Sequence, residues 1–189
     1  TCIPAEYDNN SDYRQFFGHC FPNNEDREII SNRLNAQGYT ILFPVERGVY
    51  ETIQAYGNVT FYTPASIIMS YLNYKPIAKE QYMLAYLYND YALIISMKNG
   101  KAGLSNIFKK EEIGNILFYM LSIWKEQGLS QTDDQLYLCG DNSIEELSLN
   151  AGQFIKKIKR INPNELFPSN LLNRIEGIPF DLQALILCE

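Results

Sequence analysis

From residue 82 to residue 108 the apolar positions fall into three runs separated by tight-turn residues. The turn Asn89–Asp90 separates Tyr82–Asn89 from Tyr91–Lys98, and Asn99–Gly100, a dipeptide suited to two-residue hairpins, leads into Lys101–Phe108. The pattern predicts an antiparallel meander. Beyond it Ile113, Ile116, Leu117, Met120, Leu121 and Trp124 recur at helical spacing, with Glu111 and Glu112 in the first turn and Gly128 past the end. Phe118, Tyr119 and Ile123 widen the apolar face, so this helix is expected to be covered on two sides, with Trp124 against the meander. Gln135–Cys139 reads as a short buried strand, and Ser143 with Glu146 matches a capping box opening another helix. Lys156–Ile161 fits a last strand, although its spacing also fits the end of that helix.

The first seventy or so residues read differently. Ile29, Ile30 and Leu34 predict a helix, Thr40–Val45 a strand, Val49–Tyr56 a helix closed by Gly57, and Val59–Tyr62 a second strand. Strand, helix and strand of this length imply a βαβ unit with parallel pairing. Thr63–Pro64 places an N-cap and a first-turn proline before Ile67, Ile68, Tyr71 and Leu72. Residues 73–80, with Pro76, form the expected linker, giving one domain over 1–75 and another over 76–189.

Composition sets limits on function. With 189 residues, 46% of them hydrophobic, the chain can bury a substantial core. A net charge of −6 argues against nucleic acid or an anionic membrane as partner, since phosphate affinity needs clustered cations. The one basic run, Lys156–Arg160, follows a helix with Glu145 and Glu146 in its first turn, where the macrodipole favours cations, so it reads as structural. No apolar stretch is long enough to span a membrane. Cys2, Cys20, Cys139 and Cys188 lack metal-ligand spacing, and Cys139 and Cys188 read as small buried hydrophobes of a reducing, cytoplasmic setting. His19 directly precedes Cys20, but adjacent side chains seldom face each other, which argues against a catalytic pair.

Strand, strand, strand, helix, strand, helix, strand over residues 81–161 is the order of a ribonuclease-H-like half. Two α/β halves, the second opening with a meander, resemble the actin-like ATPase superfamily. Within it the chain is more similar to bacterial pilus-assembly and type II secretion actin-like proteins, and most similar to an uncharacterised Bacteroidetes family. The likeness is carried by Cys2-Ile3-Pro4-Ala5-Glu6, Thr63-Pro64-Ala65-Ser66, Met97-Lys98-Asn99-Gly100-Lys101, Leu136-Tyr137-Leu138-Cys139-Gly140-Asp141 and Leu187-Cys188-Glu189. It implies an α/β actin-like ATPase fold of two ribonuclease-H-like lobes, the first lacking an initial meander that lies upstream of Thr1.

The resemblance also implies where a nucleotide would bind. Active members use an Asp-x-Gly turn for phosphate and metal, and a Gly-Gly pair for adenosine, because glycine lets the backbone approach the ligand. Here the turn reads Asn89-Asp90-Tyr91 without glycine, and the pair reads Gly140-Asp141, with a carboxylate that repels phosphate. These four residues, Asn89, Asp90, Gly140 and Asp141, are the candidate degenerate nucleotide site. The missing glycines favour a non-catalytic scaffold that binds an unidentified protein partner and takes no cofactor. The alternative is a divergent protein that binds Mg-ATP through Asp90 and Gly140. A two-metal nuclease has only Glu80, Asp90 and Asp141 to draw on.

Tyr82, Leu84, Tyr86 and Tyr88 share one face of their strand, and Met83, Ala85 and Leu87 share the other. If the long helix covers the methionine face, the tyrosines either face a partner or pack between lobes.

Overall fold

The computed structural model describes residues 1–4, 8, 13–22, 25–35, 38–74, 77, 81–166 and 177–188. The chain forms two compact units, Thr1–Ile67 and Ile68–Glu189. The division falls inside a helix, a few residues before the expected linker, of which residues 75, 76 and 78–80 lie outside the described residues.

The first unit contains β1 (Cys2–Pro4), α1 (Tyr13–Cys20), β2 (Arg27–Leu34), β3 (Tyr39–Glu46), α2 (Arg47–Gln54) and the start of α3 (Pro64–Tyr74). Its sheet has the order β1-β3-β2 and is antiparallel throughout. The predicted βαβ unit is therefore absent. The segment expected to be a helix around Ile29 is β2, in hairpin register with β3 from Leu34↔Tyr39 to Arg27↔Glu46, and Val59–Tyr62 forms no strand. Apolar side chains on both faces of β2 explain the misreading. Ile29 packs against Ile3, Phe17 and Leu42, while Asn32 and Leu34 are buried on the opposite face. An apolar pattern that serves two faces loses the period of two and passes for a helix.

The expected cap of α3 is present. Thr63 Oγ1 accepts the Ser66 N–H at 3.1 Å, and Ser66 Oγ in turn donates to Asn32 Oδ1 at 2.8 Å. The Asn32 amide donates to Phe61 O at 2.8 Å, which satisfies a polar side chain only 8% exposed.

The second unit is built on β4 (Tyr82–Tyr88), β5 (Tyr91–Lys98), β6 (Lys101–Lys109), α4 (Ile113–Glu126), β7 (Gln135–Gly140), α5 (Ser143–Ala151), β8 (Lys157–Arg160), α6 (Pro163–Leu166) and α7 (Phe180–Cys188). Its sheet order is β6-β5-β4-β7-β8, with the meander antiparallel and β4, β7 and β8 parallel. This is the predicted ribonuclease-H-like arrangement, and it resolves Lys157–Arg160 as a strand. At the Asn99–Gly100 turn φ is +53° and +73°, values that the asparagine and glycine tolerate.

The core lies under one face of this sheet. Met83, Ala85, Leu87, Ile94, Leu136 and Leu138 meet Ile116, Met120 and Trp124 of α4 and Leu147 of α5. Burying each large aliphatic side chain contributes roughly 1.5–3 kcal/mol. On the opposite face Tyr82 and Tyr86 are 1% and 0% exposed. There Phe180 of α7 meets the rings of Tyr86 and Tyr71 edge-on, and Tyr137 meets Tyr82 in the same way. Tyr82 and Tyr86 are thus internal to the second unit and present no surface to a partner, which corrects the interface expectation for that face.

Trp124 is 2% exposed, and its indole N–H has no hydrogen-bond partner among the described residues, so its contribution is packing alone. Trp124→Ala is expected to cost about 3–5 kcal/mol, read by far-ultraviolet circular dichroism during denaturant unfolding. A loss below about 1 kcal/mol would show that α4 is held by other contacts.

Candidate functional site

The four predicted site residues lie at two chain reversals beyond β4 and β7. In the parallel pair Gly140 stands opposite Leu87, with φ +133°, and a Cβ built on it would lie 1.8 Å from Leu87 O. Only glycine fits there. The close approach lets the Asp141 N–H donate to Leu87 O at 2.9 Å, which carries the ladder one residue past the strand. Asn89 takes the left-handed conformation at φ +49°, and Asp90 is exposed.

Lys110 links the two reversals. Its backbone N–H donates to Asp90 O at 2.7 Å, and its ammonium donates to Asp141 Oδ2 at 2.6 Å and to Ser143 Oγ at 3.1 Å. Asp141 Oδ1 accepts the Ser143 N–H at 3.0 Å and also the Ser143 hydroxyl. The expected capping box is therefore not what opens α5. Asn142 occupies the N-cap without a side-chain bond, and Asp141, one residue further out, takes over the amide. Burial raises the Asp141 pKa, but the bonds from Lys110 and Ser143 outweigh it and hold the carboxyl below its ordinary value.

Beside this network a cleft of about 340 Å³ opens, lined by Tyr86, Tyr88, Cys139, Gly140, Asp141, Asn142, Asn162, Phe180 and neighbouring residues. Gly140 and Asp141 line it; Asn89 and Asp90 do not. Its position beyond the carboxyl ends of parallel strands is where open α/β sheets hold ligands. The Tyr86 hydroxyl donates to Asp181 Oδ1 of α7 at 2.9 Å. Burial, reinforced by Asp181, pushes the Tyr86 pKa strongly upward, and burial followed by Asp181 pushes Tyr91 up to about 12. Burial pushes the Cys139 thiol up to about 12, so it stays protonated at neutral pH and is no nucleophile. His19 Nδ1–H donates to Gln15 O at 2.8 Å, the ordinary bond of a helix surface. Among the described residues no cluster of three or more His, Cys, Asp or Glu is placed to hold a metal ion. No helix formed by them is long and apolar enough to cross a membrane.

Sequence reading passed over Lys110 and Asp181, and gave Tyr86 no carboxylate partner. A lysine directly after a strand carries no local signal of a carboxylate partner 31 positions away, and Tyr86 and Asp181 are 95 positions apart.

Gly140→Ala is expected to destabilise the second unit by at least about 3 kcal/mol, because strand pairing has to yield to the new Cβ. Asp141→Asn tests the network. Since the folded pKa of Asp141 is lowered, its stabilisation is fully present above the unfolded value near 3.8 and is lost as pH falls through the folded value. The pair is partly exposed, so wild type should exceed the variant by about 1 kcal/mol or less at pH 7. In denaturant titrations that difference should shrink as pH falls through the folded value and vanish once Asp141 is protonated in both states, and a gap independent of pH would show that the charge does not matter.

Comparison with known proteins agrees with this architecture. A crystal structure of a Bacteroides thetaiotaomicron protein with an actin-like ATPase fold and unknown function superposes with a TM-score of 0.84 at 24% identity, covering 100% of this chain and 70% of that one. The structure of the PilM–PilN type IV pilus biogenesis complex matches with a TM-score of 0.59 at 12% identity, covering 100% of this chain and 75% of that one. No curated protein matches the sequence. Identities this low establish the fold, which is that of the actin-like ATPases. Residues 1–158 match the family described as "Protein of unknown function (DUF3822)", and the chain belongs to that family.

Proposed function

We propose that this protein is a non-catalytic actin-like scaffold that works by binding another protein and has no nucleotide chemistry of its own. The observation that carries this reading is the charge of the cleft. Among the described residues lining it the only ionised side chain is Asp141, and the nearby ammonium of Lys110 is already bonded to that carboxylate. Triphosphate recognition needs free cations or converging backbone amides. The Asp141 N–H, the amide that follows Gly140, donates to Leu87 O instead.

One further observation supports a protein-binding role, and another bears on the compartment. The chain shares its fold with a component of the PilM–PilN complex, an assembly of proteins. Cys139 is a buried thiol without a disulfide, which suits a reducing, cytoplasmic setting.

Mg-ATP is the competing ligand, because a cleft of about 340 Å³ is large enough for a small molecule. Titration calorimetry of the full chain with Mg-ATP, run beside a phosphate-release assay, separates the two readings. The scaffold reading expects no saturable heat up to millimolar ATP and no turnover. Turnover abolished by Asp90→Ala would overturn it.

A further inference from the structure

β6 ends the five-stranded sheet on one side, and among the described residues no strand pairs with its outer edge. The Ile107 N–H donates to the side chain of the preceding residue, Asn106 Oδ1, at 3.0 Å, whereas the Lys110 N–H donates inward to Asp90 O. Amides of an antiparallel edge strand alternate between the ladder and the outside, so those of Ser105, Ile107 and Lys109 point outward. The register shift lies earlier, between Ser96 and Met97, and leaves this alternation intact.

Beside that edge stand exposed apolar groups. Phe118 is 65% and Ile107 48% exposed, and Tyr119, edge-on to Phe118, stacks on Phe108 of β6 with ring centres 4.5 Å apart. Aromatic side chains flanking outward-facing backbone amides are what strand addition uses, the main chain supplying affinity and the side chains specificity.

Charge selects the occupant. β6 begins with Lys101, ends with Lys109 and holds no acidic residue, in a chain of net charge −6. A second copy paired antiparallel about Ser105 would set Lys101 opposite Lys109 twice, and directly opposed like charges destabilise a sheet. We infer that the β6 edge binds an extended segment of a protein partner by strand addition, with acidic residues of the segment meeting Lys101 and Lys109 and an apolar one meeting Phe118. This rests on the scaffold reading and names the kind of partner. Lys109 pairs with Glu111 at 2.8 Å, both well exposed, a contact that an incoming carboxylate replaces at little cost.

The test uses the full chain and two fluorescent, capped nonapeptides of alternating threonine and valine, one ending in aspartates and the other in lysines. Anisotropy should show saturable binding of the aspartate peptide and at least tenfold weaker binding of the lysine peptide. Ser105→Pro removes an outward amide without breaking a bond to β5, and proline is tolerated at such edge positions. It should weaken binding tenfold or more with an unchanged Tm, and Phe118→Ser, at an exposed position, should weaken it several-fold. Equal binding of both peptides, no binding of the aspartate peptide, or wild-type binding by Phe118→Ser would each overturn the inference. So would a dimer in sedimentation analysis that Ser105→Pro dissolves, since the edge would then pair with itself. ATP turnover measured on the same samples reports on the scaffold reading alone, so the two failures are distinguishable.

Discussion

The contact between Gly140 and Leu87 sets the terms for the rest of the second unit. Parallel strands β4 and β7 run in register from Tyr82↔Gln135 to Leu87↔Gly140, and at the last step the two backbones come closer than any side chain permits. That closeness delivers the Asp141 N–H to Leu87 O and holds the Asp141 carboxylate where Lys110 and Ser143 reach it. The same carboxylate opens α5, and α5 leads the chain to β8 on the far side of β7. One residue without a side chain therefore governs a strand pair, an ion pair and a helix start.

This use of glycine bears on the chemistry of the cleft. In a phosphate site a glycine brings the backbone close to a ligand, and the amides that follow it stay available. At Gly140 the closeness is directed at a neighbouring strand, and the amide of the next residue is consumed there. Among the described residues, the cleft that remains is walled by tyrosine and phenylalanine rings, amide side chains and one carboxylate.

How much of this was legible from the residues depended on how many faces each element serves. The meander stood out because its runs are bounded by Asn89–Asp90 and Asn99–Gly100, and α4 because its apolar stripe keeps one period over fourteen residues. Gly140 and Asp141 could be placed from the strand end alone. β2 could not, since Ile29 and Leu34 serve opposite faces of a small sheet, and the resulting spacing imitates a helix. The Ser143–Glu146 pattern was misleading for a different reason: the cap came from Asp141, already drawn toward Lys110. Contacts across long sequence separations, such as Tyr86 with Asp181, leave no local trace.

Trp124 is the only tryptophan in the chain, and it is buried in the core of the second unit. Its emission consequently reports on the core of the second unit. Circular dichroism, by contrast, averages over both units. When the two signals are followed through the same denaturant series, coincident curves would mean that the halves melt as one cooperative body, and separated curves would resolve the free energy of each. The placement of a single indole thus supplies a built-in probe of how tightly the two units are energetically coupled.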